Sequence, residues 1–166
     1  MENLWFFALF LALSGFIYLQ FLRGRRRNLE RIRRCSAILE KIFQPADKTY
    51  TWIGGVAGFK AEYRLRDTGK LYATFALLPR QSLLYFPISK LIFRADRLYL
   101  TFELPHLNKF KEFDAETWRL EGAGLKSIRK LEIDSSGRRL KALIWYEDDG
   151  IEGVLLWLKN FISEAI

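Results

Sequence analysis

Residues 4–22 read LWFFALFLALSGFIYLQFL, and residues 23–34, which follow directly, read RGRRRNLERIRR. The first stretch carries no charge, and only Ser14 and Gln20 in it are clearly polar. As a helix it spans about 29 Å at ~1.5 Å per residue, close to the ~30 Å hydrocarbon thickness of a bilayer. This predicts a transmembrane helix at Leu4–Leu22, with Trp5 and Tyr18 as interfacial anchors near its ends. Ser14-Gly15 offers a small mid-helix patch without the GxxxG spacing of a dimer face. A cleaved signal peptide carries positive charge before its apolar run, with small residues at the cleavage site. Here Glu2 precedes the run and the arginines follow it. A lipoprotein needs small residues ahead of its cysteine, and Ile32-Arg33-Arg34 precede Cys35. An uncleaved anchor is the expectation.

The charges behind the run set its direction. Arg23, Arg25, Arg26, Arg27, Arg31, Arg33 and Arg34 lie together, with Glu30 the one acid among them. Lys and Arg are retained on the cytoplasmic side, so the N-terminus is expected outside a plasma or inner membrane and everything after Leu22 inside. These seven arginines are the candidate membrane-surface contacts. Anionic headgroups are the expected partner, at roughly 1 kcal/mol per charge held near the surface. Fixing topology is a sufficient reason for such a cluster, and recognition of a particular lipid is a further claim.

From residue 23 to 44 a basic juxtamembrane helix is expected. Leu29, Ile32, Cys35, Leu39 and Ile42 recur at steps of three and four, one face of a helix, and Pro45 ends the pattern. The stripe suits packing on the domain that follows. Contact with headgroups or with a second copy uses the same spacing, so homo-oligomers stay open. Cys35 is the lone cysteine, which excludes an intramolecular disulfide and fits a reducing compartment. On this stripe its thiol is expected to be packed, with palmitoylation the alternative.

The chain of 166 residues suffices for the anchor and one domain, here placed at residues 48–166. The net charge is +8, yet residues 1–43 hold eight Lys and Arg against three Asp and Glu, and residues 44–166 hold 19 against 16. The basic excess belongs to the anchor region. That argues against nucleic acid as a partner, which calls for cationic density on the folded domain.

Beyond Pro45 the period changes to two. Phe59, Ala61, Tyr63 and Leu65 alternate with charged residues, Asp67-Thr68-Gly69 turns, and Leu71, Ala73, Phe75 and Leu77 resume, which reads as a hairpin. A second hairpin is expected from Leu91–Arg94 through an Ala95-Asp96 turn to Leu98–Leu104, where Pro105-His106-Leu107-Asn108 breaks the run. A third joins Ile128–Asp134 to Arg139–Tyr146 across Ser135-Ser136-Gly137, and a weaker strand covers Thr117–Glu121. Gly54–Gly58 reads as a flexible lead-in or bulge before the first strong strand. Gln81–Ile88 reads as a buried strand, or as a loop touching membrane or partner. Leu143 and Trp145 lie on the face opposite Ile144 and Tyr146, so both sides of that strand are apolar, and full coverage, partly by the juxtamembrane helix, is expected. Ile151, Val154, Leu155, Leu158, Phe161 and Ile162 return to helical spacing, with Asp149 as N-cap and Glu152 completing a capping box.

The fold class is therefore α+β: a transmembrane helix, a juxtamembrane helix, an antiparallel seven-strand sheet or barrel, and a C-terminal amphipathic helix. That order, with Trp157 in the last helix, resembles the pleckstrin-homology and GRAM superfold over roughly Thr49–Ile166. The resemblance implies a bent sheet plugged by the terminal helix, and a binding module for phosphoinositides or protein segments. Its first-hairpin phosphoinositide site is matched thinly, by Lys60, Arg64, Arg66 and Lys70.

Chemistry finds little to stand on. One histidine, His106, and one cysteine on different elements do not make a zinc site. No G-x-S-x-G elbow occurs, and the Gly54–Gly58 stretch lacks the Lys-Ser/Thr of a P-loop. Glu147-Asp148-Asp149 precedes a helix, where carboxylates favour the positive end of the dipole. No cofactor and no catalytic residue is expected. A membrane-tethered binding or scaffolding module with a protein partner is the leading reading, and an accessory subunit of a larger membrane complex is the alternative.

Overall fold

The computed structural model describes residues 2–66, 69–104, 127–133 and 139–165. The chain opens with one unbroken helix, α1, Glu2–Phe43, of 42 residues and about 63 Å at ~1.5 Å per residue. Anchor and juxtamembrane helix are thus a single rod. Between Leu22 and Asn28 no proline intervenes, and four arginines, good helix formers, carry the backbone across. The rod has two environments. From Leu4 to Leu22 every side chain is exposed except the half-buried Gln20. From Asn28 onward one face is buried, with Ile32, Cys35, Ile38, Leu39, Ile42 and Phe43 entering the domain core. The apolar part is long enough to cross a membrane by length and composition.

After Gln44, at φ 43, the chain reverses into an antiparallel sheet. Its strands are β1 (Asp47–Ile53), β2 (Gly58–Leu65), β3 (Gly69–Ala76), β4 (Asp96–Glu103), β5 (Ile128–Ile133) and β6 (Arg139–Tyr146). Between β3 and β4 lies α2, Tyr85–Phe93, and the chain closes with α3, Ile151–Ala165. The sheet is open, in the order β1-β2-β3-β4-β6-β5. Alternation decides its faces. Phe59, Tyr63, Leu71, Phe75, Leu98, Phe102, Leu140 and Ile144 point inward and meet the C-terminal half of α1 and the stripe Val154, Leu155, Leu158 and Ile162 of α3. Aromatic edges lock this layer, with Phe43 against Phe102 at 5.6 Å and Phe75 against Tyr146 at 4.7 Å. Lys159 donates from Nζ to the Ile42 carbonyl at 2.8 Å, a cation on the negative end of α1.

Several expectations change. Six strands stand among the described residues. The strand expected at Thr117–Glu121 and the Pro105–Asn108 break with His106 lie outside them, as do turn residues 67–68 and 134–138. The first hairpin pairs as read, with Leu65 opposite Gly69, and the third pairs with a bulge between Ile128 and Lys130. The second hairpin does not form: Leu91–Phe93 close the helix α2, and β4 pairs with β3 and β6. A nine-residue apolar run is too short for periodicity to separate helix from strand. Here Pro87 sits in the first helical turn, where its missing N–H is tolerated. Gln81–Ile88 is accordingly no buried strand. Gly54 and Gly55, at φ 51 and 68, make the tight turn of a β1–β2 hairpin rather than a lead-in. Leu143 and Trp145 are half-buried on the face away from α1, so the juxtamembrane segment does not cover them. The position before α3 is Gly150, whose carbonyl accepts from Val154 N, and Glu152 pairs with Lys41 instead of closing a box.

At the far end of α1, Glu40 accepts from Lys48 Nζ at 2.6 Å and from the Tyr50 hydroxyl at 2.5 Å. The Tyr50 proton is spent on Glu40, so Tyr63 donates to Tyr50 across 2.8 Å. The Lys48 hydrogen bond first, and then that of Tyr50, hold the Glu40 carboxyl below its usual 4.5. A depressed carboxylate stabilises the fold fully above its unfolded value and loses that contribution as pH falls through the lower, folded one. Glu40→Gln is therefore expected to flatten the acid side of the stability–pH curve and to leave the slope near neutrality unchanged. Urea midpoints of both chains from neutral pH into acid check this.

Tyr146 is buried and its hydroxyl has no hydrogen-bond partner among the described residues. A buried unsatisfied hydroxyl costs about 1–3 kcal/mol, so Tyr146→Phe should be neutral or stabilising by about 1 kcal/mol. A clear loss in urea denaturation would contradict it.

Candidate functional site

Side-chain hydrogen bonds and ion pairs gather where α1 passes from its exposed to its buried half. Asn28, fully buried one turn beyond Gly24, donates from Nδ2 to the carbonyls of Val56 and Leu78, each at 3.0 Å. Its Oδ1 accepts from Arg80 at 3.1 Å. Arg80 in turn holds Asp96 with two parallel bonds, Nη1 to Oδ1 and Nη2 to Oδ2, both at 2.9 Å. Asp96 Oδ1 also accepts from Leu78 N at 2.8 Å, and Oδ2 from Arg31 Nη1 at 2.8 Å. The other Arg31 amino group reaches Asp148, and Arg34 donates to the Asp148 carbonyl at 2.9 Å. Three arginines and two carboxylates thus form a cluster, desolvated around Asp96 and open to solvent around Asp148, that joins α1, the start of β4 and the segment before α3. A fork-shaped guanidinium on a carboxylate is the directional form of an ion pair, so this cluster fixes an angle as well as a distance.

Gly24 completes the junction. A Cβ built there would overlap the Arg80 carbonyl, so glycine lets the 78–82 segment lie directly on the helix. Gly24→Ala gains about 1 kcal/mol of helix propensity but forces that backbone away, at about 1–3 kcal/mol. A net loss of stability is expected at Gly24 and none for Gly15→Ala, where the space is open. Thermal unfolding in detergent distinguishes the two.

The seven arginines of the expected membrane contact divide. Arg23, Arg25, Arg26, Arg27 and Arg33 are exposed, Arg34 is exposed but reaches Asp148, and Arg31 is half-buried between two carboxylates. Sequence reasoning missed Asn28, Arg80, Asp96 and Asp148. The sequence pattern places Asp96 in a turn and the acidic run before α3 at a helix cap. One signal was available: Asp96 ends a long stretch without an acid, beginning after Asp67. Cys35 is buried on the core side of α1, as its place on the stripe suggested, and burial pushes its thiol up.

A cavity of about 170 Å³ opens between the ends of α1 and α3, lined by Phe43, Gln44, Leu65, Phe102 and Lys159. It falls below the ~300 Å³ at which pockets hold drug-sized ligands, and among the described residues no carboxylate lines it. The sheet face turned away from the helices carries Tyr72, Tyr99, Leu143 and Trp145 among Lys60, Arg97, Arg129 and Lys141, while its acids Glu62, Glu103 and Glu132 are paired with Lys70, Arg139 and Lys130. The Arg129 guanidinium lies 3.6 Å from the centre of the Trp145 ring, where the bulge in β5 re-aims it. Among the described residues no group of three or more His, Cys, Asp or Glu converges on a metal-sized space. No protein-family model matches the chain, and no curated protein sequence matches it.

Proposed function

We propose that the chain is a single-pass membrane protein whose folded part is a non-catalytic binding or scaffolding module, held against the inner face of the cell membrane. Residues before Leu4 lie outside, the span is Leu4–Leu22, and the sheet domain is cytoplasmic. The continuity of α1 carries this reading. A stretch of apolar side chains stands free of its own domain, and the next turns of the same helix are core. An apolar rod of that length is at home in hydrocarbon and not in water. Without a linker between span and core, the module has a fixed height and a fixed face, which is what raises its effective concentration toward a neighbour in the same membrane.

The expected ligand is an acidic protein segment. The aromatic residues of the outward sheet face supply anchors, and Lys60, Arg97, Arg129 and Lys141 supply complementary charge. Antiparallel strands followed by one terminal helix make the likeness to pleckstrin-homology and GRAM modules part of this proposal, at the level of element order.

Two measurements test it. Fluorescent-protein and alkaline-phosphatase fusions at the C-terminus should report the cytoplasmic side; phosphatase activity there would overturn the topology. Native purification should then yield a partner that is lost on Tyr99→Ala/Trp145→Ala. Purification as a clean monomer would count against scaffolding. A hetero-assembly indifferent to both substitutions would favour an accessory subunit that associates through its span.

A further inference from the structure

None of the nine residues of α2 is buried. Leu84, Ile88 and Leu91, at helical steps of four and three, are 77%, 56% and 82% exposed, with Tyr85 and Ile92 beside them at 68% and 63%. Phe86 and Ser89, on the opposite side, are half-buried toward the domain. The stripe that faces out is therefore the apolar one, the reverse of a solvated surface helix. Scattered exposed apolar residues are ordinary; a contiguous stripe of five is not.

Both ends of this excursion are fastened to the same few residues of α1. Before α2, Arg80 rests on Gly24 and bonds Asn28; after it, Asp96 bonds Arg31. Gly24 lies two residues, or about 3 Å along the axis, beyond Leu22. The α2 excursion thus leaves the domain at the level where the apolar run of α1 ends. Its charges are of one sign. Lys90 and Arg94 lie on it or directly after it, Arg23, Arg25, Arg26 and Arg27 stand on α1, and no acid occurs between Asp67 and Asp96.

Given the tether proposed above, we infer that α2 is a second lipid contact: an interfacial helix whose Leu84, Ile88 and Leu91 stripe enters the headgroup–acyl boundary beside the span, with the surrounding cations on anionic headgroups. The composition is that of segments lying ~5–10 Å deep in the interface. A protein groove would accept the same stripe, but it would have to sit against the bilayer, within reach of four exposed arginines. Two lipid contacts set the tilt of the domain as well as its height, which a lone span does not.

The test uses the full chain in vesicles of phosphatidylcholine and phosphatidylglycerol, with nitroxide labels on single introduced cysteines. Leu84→Cys and Leu91→Cys probe α2, Leu13→Cys the span, and Lys60→Cys the sheet. All four positions are exposed, so the fold tolerates them. Buried Cys35 should take no label, which the unsubstituted chain checks. Collisions with oxygen, which concentrates in lipid, are compared with those of a water-soluble nickel chelate. The expected pattern is oxygen favoured at 84, 91 and 13, shallower at 84 and 91, with nickel favoured at 60. Nickel favoured at 84 and 91 with position 13 still in lipid overturns the inference and leaves the tether standing. Labels at 84 and 91 shielded from both colliders put α2 under protein and overturn it too. Nickel favoured at 13 overturns the tether itself, and α2 with it.

Discussion

A chain that starts at Lys48 is expected to be unfolded, whereas one that starts at Arg23 is expected to unfold cooperatively, with near-native urea sensitivity. Between the two start points lies the buried face of α1: Ile32, Cys35, Ile38, Leu39, Ile42 and Phe43. Burying an aliphatic or phenylalanine side chain contributes about 1.5–3 kcal/mol, so these residues together supply on the order of 10 kcal/mol, as much as the whole margin of a typical domain. Their removal also bares the inward sheet face at Phe102 and strands Asp96 without Arg31. Near-ultraviolet circular dichroism and urea titration of both fragments decide it. A sharp transition from the shorter fragment would show that the sheet and α3 suffice, and that α1 only leans on them.

The membrane tether and this prediction come from one helix read two ways. The apolar run was legible because nineteen residues without a charge have few other uses. The buried half was legible too, since Ile32, Cys35, Leu39 and Ile42 follow the 3.6 period, and only Ile38, Phe43 and Asn28 were missed. The hairpins β2–β3 and β5–β6 and the helix α3 declared themselves through alternation and helical spacing over six or more residues. Other parts did not. Edge strand β1 is exposed except at the half-buried Tyr50 and Ile53, so Asp47–Ile53 carries no alternation to read. In α2 the apolar residues point away from the core, and any rule that equates apolar with buried misplaces them. The polar junction was the least legible part. Asn28, Arg80, Asp96 and Asp148 are far apart in sequence, and what joins them is tertiary contact made through Arg31 and Arg80.

That junction carries the other large effect. Asp96→Ala is expected to cost about 3–5 kcal/mol, because it leaves the guanidinium groups of Arg80 and Arg31 facing each other in a desolvated site. The Asp96 side chain is 0% exposed, against 15% for Arg80 and 26% for Arg31. The Leu78 N–H loses its acceptor as well. Asp96→Asn keeps an oxygen for that N–H but no charge, and should fall between the wild type and Ala. Joining it to Arg80→Met removes both members of the forked pair, so the double variant should lose less than the sum of the singles, a coupling that contact across 2.9 Å demands. Urea unfolding of the four chains in one detergent measures the cycle. If Asp96→Ala stays within about 0.5 kcal/mol of wild type, as exposed positions do, the junction is a surface decoration and not the joint that fixes domain to helix. If the loss is large, the nitroxide labels on α2 should also shift toward water in chains that remain folded. The residues holding α2 at its level on α1 are the ones that Asp96 ties together.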